Sequence, residues 1–156
     1  MKIQRVKWPS GKSIDDLRKQ VAENKEQILN GRLLAVDPGS KFAGYSIYDA
    51  GVLTSSGIIT MGNKLRVQQR LQHLYQQLHD LTACDVFATE RIRGSMSHEF
   101  LKWAVGVAVA AVRSPVLIEV PIGVWQAIKD AGYEKTDEND AQLIGKSLIW
   151  LAKEID

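Results

Sequence analysis

Cysteine is almost absent from this chain: Cys84 stands alone among 156 residues. A single thiol rules out an internal disulfide, and this usage fits a reducing cytoplasm. Cys84 precedes the apolar run Val86-Phe87-Ala88, where packing is its expected role. No apolar stretch is long enough to span a bilayer, so no membrane partner is expected. The N-terminus lacks the apolar core of a signal peptide. His73, His79 and His98 show no metal-ligand spacing and read as surface or packing residues. Internal repeats and low-complexity tracts are missing. The net charge of +2 excludes an overall polycation. Gly11-Lys12-Ser13 looks like the end of a phosphate-binding loop, but that pattern needs a glycine where Val6 stands.

What is present suits one globular unit: 45% of residues are hydrophobic and 24% charged. The charge is uneven. Residues 1–32 carry Lys2, Arg5, Lys7, Lys12, Arg18, Lys19, Lys25 and Arg32 against Asp15, Asp16, Glu23 and Glu26. A basic leader hints at nucleic acid, and a solvated helix face explains it nearly as well. Residues 1–32 are read as a basic arm and helix, and residues 33–156 as the main domain.

Hydrophobic periodicity gives the elements. Ser13 to Leu29 reads as a helix, with Ser13 as cap, Asp16 as capping-box acid and Asn30-Gly31 as stop. Three strands follow: Leu33–Asp37, Phe42–Tyr48 and Gly51–Thr60. Asp49-Ala50-Gly51 turns the chain between the last two. Lys64 to Leu81 is a helix with Leu65, Leu71, Leu74, Leu78 and Leu81 on one stripe. Asp85–Thr89 is a short strand ending at Glu90. Ser95 or Ser97 caps a helix running to about Arg113. Its part Trp103 to Val112 is apolar nearly all round, which points to burial on more than one side and to a second subunit. Val116–Val120 is a further strand, Ile122–Ala131 a short helix, and Asp137 to about Lys153 the last helix. Trp125 and Trp150 read as core. The order implies an α/β fold: a mixed five-stranded sheet, three antiparallel strands then alternating strand and helix, flanked by helices.

Acids stand at the ends of three of these elements. Asp37 closes the first strand and is followed by the turn Pro38-Gly39. Glu90 closes the fourth. Asp137 and Asp140 lie three apart at the start of the last helix and so share a face. Each has a plain alternative: Glu90 pairing with Arg91 or Arg93 at the surface, and the two aspartates favoured by a helix dipole. Together, in neighbouring strands under a crossing helix, they form a crowded group of carboxylates. Divalent cations relieve such repulsion. Two Mg²⁺ ions about 3.5–4 Å apart can activate a water and stabilise the leaving oxygen of a phosphodiester. Lys41, Arg91, Arg93 and Lys102 are candidates for a phosphate path, with Phe100 or Trp103 nearby. Lys129 and Lys135 offer further point charges, and Tyr133 a face for stacking on an unpaired base.

The sequence Val36-Asp37-Pro38-Gly39-Ser40 with Gly44-Tyr45, then Phe87-Ala88-Thr89-Glu90, then Asp137-Glu138-Asn139-Asp140-Ala141, resembles the RuvC-like Holliday junction resolvases, which have the ribonuclease H-like fold. The resemblance covers Leu33 to about Ala152. It implies that Asp37, Glu90, Asp137 and Asp140 are catalytic, metal-binding acids. It also implies dependence on Mg²⁺ (Mn²⁺ substituting), two ions per site, and a homodimer that nicks opposed strands of a four-way DNA junction. The chain departs from that pattern in three places. Residues 1–32 precede the usual start, Arg93 stands where an aromatic residue is common, and the segment before the last helix is short. Such compactness resembles bacteriophage members.

The reading that follows is a structure-selective endonuclease acting on branched DNA. Because Ile122–Ala131 is expected to be helical, only residues 132–136 remain as a loop, and cleavage is expected to follow branch shape more than base sequence. The alternatives are a ribonuclease H-fold enzyme acting on RNA, such as ribosomal RNA precursors, and a non-cleaving junction-binding protein. A sugar-kinase or actin-like fold needs two such domains and a longer chain.

Overall fold

The computed structural model describes residues 6–39, 41–62, 66–81, 83–91 and 99–155. Five strands, β1 (Arg32–Pro38), β2 (Phe42–Asp49), β3 (Val52–Thr60), β4 (Val86–Glu90) and β5 (Leu117–Val120), form one sheet in the order β3-β2-β1-β4-β5. β1 pairs antiparallel with β2 and parallel with β4, β3 pairs antiparallel with β2, and β5 pairs parallel with β4. This is the mixed sheet the hydrophobic pattern implies.

Alternation along β1 divides the core. Leu34 and Val36 face Leu74 and Leu78 of α3 (Val67–Leu81) and Ala104, Ala108 and Ala111 of α4 (Glu99–Val112). Leu33 and Ala35 face the other layer, made by α1 (Lys12–Glu23), α2 (Lys25–Asn30), α5 (Ile122–Gln126) and α6 (Asp137–Glu154). Ile14, Leu17, Val21 and Ile28 are buried there, so the N-terminal helices supply part of the main core. Small residues on the inner face of α4 let it lie close to α3, while Trp103 on its outer face is 50% exposed. Trp125 is core; Trp150 is half-buried against it. Cys84 is half-buried against the α3–α4 side, and His73 and His79 are exposed. Among the described residues, no helix is long and apolar enough to cross a membrane.

Several boundaries differ from the periodicity reading. The first helix is two helices that meet at Asn24, whose backbone N–H is shared between Gln20 O and Val21 O (both 3.2 Å) and whose side-chain amide also donates to Gln20 O (2.8 Å). Its cap is Gly11, without a side-chain capping bond, and Ser13 lies inside the helix. Glu90 belongs to β4 itself. The helix after β5 stops at Gln126, so residues 127–136 form the link to α6. That link is twice as long as expected, and the premise that only residues 132–136 are free does not hold. The expected caps Ser95 and Ser97, His98, and the start of the Lys64–Leu81 helix at Lys64 and Leu65 lie outside the described residues.

The helix α6 is fastened across the sheet. Ser46, fully buried on β2, donates its hydroxyl to Ala141 O (2.8 Å), and Tyr48 donates to Gln142 O (2.9 Å). Both anchors sit one turn from the acidic start of α6. Ser46→Ala removes one buried bond and leaves a small void. We expect a loss of about 1 kcal/mol, measured as a lower urea midpoint with an unchanged slope.

Candidate active site

Three elements bring the acids to one end of the sheet. The parallel register Val36↔Thr89 places Asp37 and Glu90 side by side at the next step. Alternation turns both onto the side of the sheet that α6 covers. Asp37 is buried, at 6% exposure, and its carboxyl group is a hydrogen-bond partner of Glu90, which is half-buried. Asp137 opens α6. The helix is capped by Thr136, whose hydroxyl accepts from Asn139 N (3.0 Å), and the Asn139 amide donates to Glu134 O (2.8 Å). Cap and link together fix where the first turn of α6 points. Asp140 lies on that turn and is 3% exposed.

The first turn of α6 rests on bare backbone of β2. A Cβ added to Gly44 would lie 1.9 Å from Asp137 O, and one added to Gly39 would lie 3.4 Å from Asp137 Oδ2. Glycine at 44 is therefore what lets Asp137 approach the β1–β2 hairpin.

The electrostatics follow from this crowding. The Asp37 carboxyl is pushed up to about 9. Burial is the main cause, followed by the charge of Glu90, the hydrogen bond to Glu90, and the charges of Asp140 and Asp137. Asp140 is also raised, chiefly by burial, with the Lys129 charge opposing and Glu90 adding. Lys135 Nζ lies 3.3 Å from Asp140 Oδ2, while Asp140 Oδ1 is buried without a hydrogen-bond partner. As they stand, among the described residues, no three acidic, histidine or cysteine side chains are close enough to hold one metal ion together. Asp37 and Glu90 form the tight pair, and Asp137 and Asp140 act on Asp37 through charge. The donor chemistry suits a hard divalent cation: every donor is a carboxylate oxygen, and one buried oxygen is unpartnered.

The remaining candidates divide by place. Arg91 is half-buried beside Glu90, with Nε 3.8 Å from Glu119 Oε2. Lys41 is exposed at the start of β2, and Lys102 is exposed on α4. Lys129 stands 4.8 Å from the Tyr133 ring and 5.4 Å from the Trp125 ring. Tyr133 is half-buried against the core, with its hydroxyl buried and unbonded and Lys129 over its ring. Phe100 carries the Arg70 guanidinium 4.3 Å above its ring. Arg93 lies outside the described residues. Sequence reasoning missed Gly44 as a packing requirement, the Lys129 field on Asp140, and the approach of Pro9 to Ile14 toward Glu90. For Gly44 a signal existed, since a glycine within a strand often marks close backbone approach.

A mixed five-stranded sheet in the order β3-β2-β1-β4-β5 with helices on both faces is the ribonuclease H-like fold. The T. thermophilus RuvC structure in complex with Holliday junction substrate aligns at TM-score 0.65 and 13% identity, covering 80% of this chain and 96% of that one. The yeast mitochondrial Holliday junction resolvase Ydc2 aligns at TM-score 0.58 and 12% identity, covering 90% and 94%. No family model matches the chain, and no curated protein matches it in sequence.

Proposed function

We propose that the protein is a divalent-metal-dependent endonuclease that cuts branched DNA, four-way junctions foremost. The observation that carries this reading is the buried Asp37, hydrogen-bonded to Glu90 and opposed by the charges of Asp140 and Asp137. Such a group is costly to fold and has no packing role that an apolar residue would not fill better. Asp37, Glu90, Asp137 and Asp140 would hold the metal. Bound there, Mg²⁺ supplies a water of lowered pKa and stabilises the charge that develops on the leaving oxygen. The protein's own part is to fix the carboxylates on rigid elements, keep Asp37 and Asp140 out of bulk water, and place Lys41, Lys129 and Lys135 where phosphates can be positioned. Two nicks on opposed strands require two sites, and the exposed Trp103 face of α4 is the surface assigned to a second copy.

The test is incubation with four-way junctions, flaps, linear duplex and RNA, in Mg²⁺ and in EDTA. Metal-dependent cutting of junctions supports the reading. Cutting of RNA alone replaces the substrate, and binding without cutting replaces the enzyme by a binder. A second measurement is independent of catalysis. Mg²⁺ in millimolar excess should raise the thermal midpoint, because it binds the folded acids and not the unfolded chain. Asp140→Asn should lose most of that rise, and equal rises in both proteins would contradict the assignment.

A further inference from the structure

Beside the acid pair lies a cavity of about 450 Å³ that the proposed chemistry does not use. Glu90, the last residue of β4, and Arg91 line it. The N-terminal segment supplies one wall through Pro9, Ser10 and Ile14, and Leu101 of α4 and Ile122 of α5 supply the others. Its lining is mostly apolar, and Ile122 is 51% exposed. We propose that this cavity is a subsite for one unstacked nucleobase next to the scissile phosphate, with the N-terminal segment as its outer wall. This inference rests on the nuclease reading for the identity of the polymer.

Three features favour a base as the occupant. Glu90 belongs both to the cavity lining and to the pair with Asp37, so a strand with a phosphate at the acids brings an adjoining base near the cavity. Its size falls within the range of about 300–1,000 Å³ usual for small-ligand sites. Its chemistry suits a base: proline and aliphatic side chains for the ring faces, and a guanidinium and hydroxyls for the edges. Unstacking is costly in duplex and less so at a branch point, where stacking is already interrupted. Apolar walls tolerate any base, so this subsite recognises an extruded nucleotide and not a sequence.

Gly123 of α5 gives a direct test. A Cβ there would lie 3.8 Å from Pro9 Cγ, in ordinary contact, so Gly123→Leu directs a side chain toward the N-terminal wall without a backbone clash. Four-way junctions carrying 2-aminopurine at each nucleotide around the crossover in turn are bound in EDTA. The parent protein should raise the fluorescence several-fold at one position. Gly123→Leu should lose that rise and bind roughly tenfold more weakly. A junction abasic at that position should bind the parent more weakly by a similar factor. Retention of the rise in folded Gly123→Leu, or abasic junctions that bind the parent equally well at every position, overturns the subsite. The abasic series uses the parent protein, so it decides the matter even if the variant fails to fold. Junction cutting without any base response sinks the subsite alone. A base response without cutting in Mg²⁺ sinks the nuclease reading alone. A parent that neither binds nor cuts sinks both.

Discussion

Asp37→Asn should abolish cleavage and at the same time make the metal-free protein more stable above neutral pH. The two effects share one cause. Asp37 sits where burial and three neighbouring carboxylates oppose its ionisation, and its carboxyl is raised to about 9. In the unfolded chain an aspartate titrates near 4. Between those values the folded protein holds a proton that the unfolded chain has released, so stability falls as pH rises from about 4 to about 9. The contribution is complete below pH 4 and gone above pH 9. Asparagine carries no such charge and keeps nearly the same shape, so the variant should lose this slope. At pH 8 in EDTA we expect it to exceed the parent by a few kcal/mol, and at pH 5 by much less. Urea unfolding at the two pH values reads this directly. Single-turnover junction cutting in Mg²⁺ should fall by about a thousandfold or more, equivalent to about 4 kcal/mol of transition-state stabilisation. A variant that cuts at the parental rate removes Asp37 from the chemistry, and a parent whose stability does not fall with pH removes the crowding.

Gly44→Ala should be among the most damaging single-methyl changes in the protein. The added Cβ would meet Asp137 O at 1.9 Å and Asp137 C at 2.1 Å, both backbone atoms of the first turn of α6. Neither can rotate away. Relief requires α6 to lift from β2, which strains the bonds from Ser46 to Ala141 O and from Tyr48 to Gln142 O. We expect a loss of roughly 3 kcal/mol or more, with junction cutting lost because Asp137 and Asp140 move with the helix. Gly106→Ala is the matched comparison. Gly106 lies within α4 with nothing within 4 Å of its would-be Cβ, so alanine should raise stability by about 0.5–1 kcal/mol. Thermal unfolding of the pair should therefore give shifts of opposite sign. Equal, small shifts would mean that α6 does not rest on β2 at Gly44.

The strands and the acids were legible because their signals are local. An apolar run closed by an acid and a turn marks β1 and Asp37, and a second such run marks β4 and Glu90. Period-two alternation then puts both acids on the side where the last helix must pack. The break at Asn24 was hidden because apolar spacing continues through it, with Val21 and Ile28 both buried in one core. The early end of α5 was hidden for a similar reason: Ile128 is buried and keeps the apolar pattern going after the helical bonds have stopped. The N-terminal segment makes contacts that its charges do not announce: Trp8 donates to Glu154 at the far end of α6 (2.9–3.0 Å), and Pro9 lines a cavity with Glu90. Contacts between residues 146 positions apart leave no mark on either stretch alone.

Half of the acidic group rides on α6, which is also the helix that closes the core over the sheet. During synthesis the ribosome therefore releases β1 and β4 long before the residues that complete the site. A nascent chain, or one cut short before Asp137, holds Asp37 and Glu90 without their two companions. Nuclease activity, on the proposed reading, would switch on only once α6 has been made and has packed on the sheet, so fragments that end before it would make no stray incision.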